Sequence, residues 1–155
     1  MVEVSFTEDP ALLLRDARSF LAQEPVRNNL ILSLLQSRVA RPEPGRYWLA
    51  KRNEDVVGVV LQSPLTQRTL LAPMDGDVVA VMADTVASSQ FAIPGCMGEA
   101  AAAARFAGQW SERTKVGATP IEGLRIYEAN TVAKQVAPGN VGKRTPKTAS
   151  SWSAG

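Results

Sequence analysis

The chain contains no histidine. That excludes a Ser-His-Asp or Cys-His mechanism and most catalytic zinc sites, which use imidazole as base or ligand. Any proton transfer would fall to Glu, Asp, Tyr or Lys. Cysteine occurs once, at Cys96, so an internal disulfide and a cysteine-built zinc cluster are excluded, and the usage fits a reducing cytoplasm. No charge of either sign dominates. The net charge is +2, too small to imply nucleic acid or an anionic membrane as partner. No apolar run is long enough to span a bilayer. The opening MVEVSFTEDP lacks the basic start and apolar core of a signal peptide. The expectation is a cytoplasmic protein with no metal, no membrane and no nucleic acid.

What is present is ordinary for a globular protein. The 155 residues are 45% hydrophobic and 21% charged, enough for one domain with a real core. Thr7-Glu8-Asp9-Pro10 is a helix-start signal, with Asp9 as cap and Pro10 in the first turn. Leu12, Leu13, Ala17, Phe20 and Leu21 then share a face, and Glu24-Pro25 ends this helix. A second helix is expected with Leu30, Ile31, Leu34 and Leu35 inward and Arg27, Gln36 and Arg38 outward, stopped by Arg41-Pro42-Glu43-Pro44-Gly45.

Tyr47 to Gln62, YWLAKRNEDVVGVVLQ, reads as a hairpin turning at Asn53-Glu54-Asp55. Its second arm is almost wholly apolar, the pattern of a strand covered on both faces. Thr69 to Ala72 is a third short strand, Asp75 to Ser89 a helix, and Phe91-Ala92-Ile93 a further short strand. Gly98 to Lys115 is an alanine-rich helix with Ala102, Phe106 and Trp110 on one face, and Leu124 to Glu128 a last strand. Interleaved helices and strands give a mixed α/β (α+β) class with a central mixed sheet. After Asn130 periodicity fades. Residues 131–155 read as a linker or disordered tail, with Lys143, Arg144 and Lys147 as solvated charges.

Taken in order, the double leucine-rich helix, WLAKRNEDVVGVVLQSP, IPGCMGEAAAAARFAGQW and LRIYEAN resemble the amino-terminal half of bacterial two-part GNAT-family N-acetyltransferases. The resemblance covers Asp9 to about Asn130. It implies a GNAT-like domain at 1–130 from an acyltransferase lineage that uses acetyl-CoA. In that group a degenerate first half precedes the catalytic half, and here the chain ends where the second should begin. KTASSWSAG, written in GC-rich codons and shifted in frame, reads DRELLVGW, the kind of helix start expected of the missing half. The tail is therefore expected to be an out-of-frame read.

A working GNAT domain carries a Gln/Arg-x-x-Gly-x-Gly/Ala segment opening a helix, whose backbone N–H groups hold the CoA pyrophosphate. No stretch here matches. The nearest is Ile93-Pro94-Gly95-Cys96-Met97-Gly98, where Gly95 and Gly98 precede a helix but the basic first residue is missing. Two such glycines are more often a turn than an anion cradle. Cys96 at a helix start would be a candidate reactive thiol, against a small packed residue. Tyr127 is placed by the resemblance near the tyrosine that protonates the leaving thiolate, against strand packing. Glu99 and Glu122 could act as bases or lie solvated. Trp48 and Trp110 could line a pocket or fill the core. No residue is assigned a catalytic, cofactor-binding or metal-binding role, and no cofactor is assigned to this chain. The expectation is a non-catalytic half with a partner domain or homodimer. The alternatives are a small interaction module and a divergent active acetyltransferase.

Overall fold

An edge strand precedes the first expected element. Val2, Val4 and Phe6 alternate with Glu3, Ser5 and Thr7 in β1 (Val2–Thr7), and the strand pairs antiparallel with β2. The computed structural model describes residues 1–121 and 123. Helix α1 (Pro10–Gln23) starts as its sequence dictates. Asp9 caps it by accepting from the Ala11 N–H at 2.8 Å, and Pro10 supplies the first turn. Helix α2 (Asn29–Ala40) buries Ile31 and Leu35 but leaves Leu30 54% exposed, so its inward stripe is narrower than expected. Arg38 is not outward either. Its stem folds inward, and the guanidinium donates to Ser63 Oγ at 2.7 Å and pairs with Glu43 at 3.2 Å.

The hairpin forms as expected from β2 (Arg46–Arg52) and β3 (Asp55–Gln62). Arg52 faces Asp55, so Asn53 and Glu54 alone make the turn, with φ of 49° and 70°. Paired positive φ values match the twist of the flanking strands. Val57 is an extra residue on β3, because Ala50 faces Gly58 while Lys51 faces Val56. Strand β4 (Thr69–Leu71) continues the sheet antiparallel to β3. Helix α3 (Gly76–Ser88) then crosses over to β5 (Cys96–Met97), which pairs parallel with β4. The expected strand at Phe91–Ile93 is instead loop; the partner of β4 forms a few residues later, where Cys96 faces Thr69 and Met97 faces Leu70. Helix α4 (Ala100–Thr114) ends with Lys115 in the left-handed region.

The result is a mixed α/β fold with one five-stranded sheet, ordered β1-β2-β3-β4-β5, between two helical layers. One core joins Leu13, Ala17, Leu21, Ile31 and Leu35 to Tyr47, Leu49, Val59 and Leu61. The opposite core joins Trp48, Ala50, Val60 and Leu71 to Val78, Val79, Met82, Val86, Ala102 and Phe106. Successive residues of β3 feed opposite cores, which is why its sequence is apolar throughout. Gly58 lets α3 approach the sheet. A Cβ there would lie 2.9 Å from Val78 Cγ1 and 3.0 Å from Met74 Sδ. The expected strand at Leu124–Glu128 and the tail at 131–155 lie outside the described residues.

Candidate functional site

Open α/β sheets bind ligands beyond the carboxyl ends of parallel strands, where helix N-termini gather. Here that place is the exit of β4 into α3 and of β5 into α4. Both exits are acidic. Asp75 stands at the N-cap position of α3 and Asp77 in its first turn, and Glu99 stands at the N-cap position of α4; neither N-cap side chain accepts from a helix N–H. Asp77 pairs with Arg52, and Glu99 accepts from Arg27 at 2.6 Å. Carboxylates at these positions complement the helix dipoles. Their side chains turn to Arg52 and Arg27 rather than to the first-turn N–H groups of either helix.

The segment Ile93–Gly98 is built into the sheet rather than left as a cradle. Its Gly95 carbonyl accepts from the Thr69 N–H at 2.9 Å, and Cys96 and Met97 form β5. Gly98 is needed for close approach to β4: a Cβ there would lie 3.0 Å from both Leu71 Cβ and the Leu71 carbonyl oxygen. Helix α4 begins only at Ala100, after Glu99. Cys96 therefore does not sit at a helix start. It is half-buried, its thiol lies 3.5 Å from the Ala103 carbonyl, and burial raises its pKa. The expected placement at a helix start is corrected to β5, and desolvation sets the direction of the shift, as for a packed residue rather than an activated thiolate.

No family model, curated protein or solved structure matches this chain. The remaining candidates rest on geometry alone. Glu99 is an exposed ion-pair partner of Arg27. Trp48 is 1% exposed and belongs to the core. Trp110 is half-buried against that core and also lines a surface cleft. Cys96 and Trp110 both pack against the Trp48 core, whereas Glu99 is held at the surface by Arg27. Glu122 and Tyr127 lie outside the described residues. Among the described residues no group of three or more Asp, Glu, Cys or His side chains is placed to hold a metal, and no helix is long and apolar enough to cross a membrane.

Two features escaped sequence reasoning. Gln62 is fully buried at the end of β3. Its amide nitrogen lies within hydrogen-bond distance of the carbonyls of Leu65, Gln67 and Ala92, at 2.8, 3.1 and 3.3 Å, and its oxygen accepts from Arg46 at 3.2 Å. A polar residue closing the apolar run VVGVVLQ is the signal that marks it. The second feature is the cleft, of about 800 Å³, between the β3–β4 loop, the α3–β5 loop and the end of α4. Its walls include Leu65, Phe91, Ile93, Pro94, Trp110 and Val116. They come from three distant stretches of sequence, and no local pattern joins them.

Proposed function

We propose that this chain is a GNAT-related domain that does not transfer acetyl groups by itself and serves as the non-catalytic half beside a catalytic partner domain or second copy. The order β-α-α-β-β-β-α-β-α, with β4 and β5 parallel, supports the lineage, because it contains the helix, helix, strand, strand, strand, helix, strand, helix series of the GNAT plan. The observation that carries the lack of activity is the fate of Ile93–Gly98. The one segment resembling a pyrophosphate loop is consumed by strand pairing and by the contact of Gly98 with Leu71. The helix behind it opens on a carboxylate. Acyl transfer depends on holding the cofactor so that the thioester meets the amine, and positioning supplies the larger part of such a rate. A partner is supported by the sheet edges: among the described residues β1 and β5 each have a neighbour on one side only.

Isothermal calorimetry with acetyl-CoA tests this reading. The expected result is no binding at micromolar concentration, with thiol release at background in an acetyl-transfer assay. Micromolar binding that is lost in Gly95→Val or Gly98→Val would overturn it and make the segment a cofactor loop.

A further inference from the structure

The cleft beside Trp110 continues into an apolar strip at the same end of the molecule. Phe91 lines the cleft and stacks within 5.6 Å of Phe6, which stacks in turn within 5.4 Å of Trp48. Phe6 is 45% exposed at one end of the strip, and Val116 is 53% exposed at the other. An elongated surface of this kind suits a chain segment better than a compact small molecule. The cations at its edge outnumber the carboxylates. The Arg46 guanidinium lies 3.9 Å from the centre of the Phe91 ring. Arg113 lies in the cleft wall, and Lys115 is exposed between the lining residues Thr114 and Val116. No Asp or Glu lines the cleft. Asp84 is held by Arg113 at 2.8 Å and by Gln109 at 3.1 Å.

We propose that this strip is a docking surface for an acidic amphipathic segment of a partner protein, with apolar side chains entering the cleft and carboxylates meeting Arg46 and Lys115 beside the Arg113–Asp84 pair. Charge complementarity selects the occupant: a basic segment of the same apolarity would bring like charges together along the rim. Nucleic acid fits less well, because the walls of the cleft are mainly aliphatic and the cations do not form a continuous track. The proposal goes beyond the GNAT reading and does not depend on it, since it lies at the opposite ends of β4 and β5 from the helix N-termini discussed above.

The test uses the full chain and a fluorescein-labelled peptide of about 15 residues, with leucines at i, i+3, i+4 and i+7 and glutamates between them. Fluorescence anisotropy is expected to give a dissociation constant of tens of micromolar, on the order of tenfold tighter than for the same peptide with every glutamate replaced by lysine. Val116→Glu places a carboxylate at an exposed rim position and should weaken the acidic peptide on the order of tenfold without lowering Tm, whereas Val116→Lys should preserve binding. Absence of binding up to about 500 μM would overturn the proposal. So would equal binding of the two peptides, a wild-type response of Val116→Glu, or tighter capture of a single-stranded oligonucleotide.

Discussion

The hairpin β2/β3 and the parallel pair β4/β5 belong to one sheet but are built to different standards. The hairpin has strands of 7 and 8 residues, and Trp48, Val59, Val60 and Leu61 are each at most 1% exposed. The parallel pair has strands of 3 and 2 residues, and β5 is only half-buried. The first region is where burial concentrates; the second is where helix termini, glycine contacts and the open cleft gather. Local stability follows buried apolar contact and protected backbone hydrogen bonds, so the thin end is the one that can yield to a partner.

The sharpest way to break this comparison is to delete equivalent side chains from both regions. Leu61→Ala empties a site in the α1/α2 core at the hairpin and should cost about 2–5 kcal/mol. Leu70→Ala, on β4 and 8% exposed, should cost less, because its site borders the surface and can relax. Urea denaturation of both variants checks the order; a larger loss for Leu70→Ala would contradict it. Gly58→Ala adds rather than removes volume. Its new Cβ would press on Val78 and Met74, and overpacking of this kind should cost about 1–3 kcal/mol with α3 displaced from the sheet. An unchanged Tm would show that α3 is seated less firmly than the geometry requires.

The sequence disclosed the thick region better than the thin one, for a physical reason. Two-sided burial writes itself into β3 as an unbroken apolar run, and the positions of Asp9-Pro10 and Glu24-Pro25 mark helix limits through local chemistry. Strand β1 is hard to read because Val2, Val4 and Phe6 alternate over too short a span to stand out. Strand β5 has no pattern of its own. Its two residues are strand because β4 lies alongside, so sequence reasoning placed the strand at the more apolar Phe91–Ile93. Arg38 is illegible in the same way: in sequence its charge points to solvent, yet its long stem carries the guanidinium to Ser63, 25 positions away. The cleft was illegible because its lining is brought together only by tertiary folding.

The smallest expected effect concerns pH at the cleft rim. A hydrogen bond from Arg113, reinforced by Gln109, holds the Asp84 carboxyl below its ordinary value of 3.8. A lowered folded-state pKa contributes stability that is complete above the unfolded value and is lost as pH falls through the folded one. Asp84→Asn should therefore remove a slight part of the acid sensitivity below pH 3.8 and leave neutral stability nearly unchanged, as expected of a partly exposed pair. Acid titrations followed by circular dichroism check this; a large loss of stability at neutral pH would mean that the pair holds α3 to α4.

Hydrogen exchange with and without saturating acetyl-CoA tests the central claim most directly, because it reads the contrast between the two regions and the absence of a cofactor loop in one experiment. The account expects the amides of Trp48–Leu49 and Val59–Leu61 to exchange slowest, those of Gly95–Ala101 to exchange faster, and acetyl-CoA to change neither. Strong protection appearing at Gly95–Ala101 on addition of acetyl-CoA would contradict it.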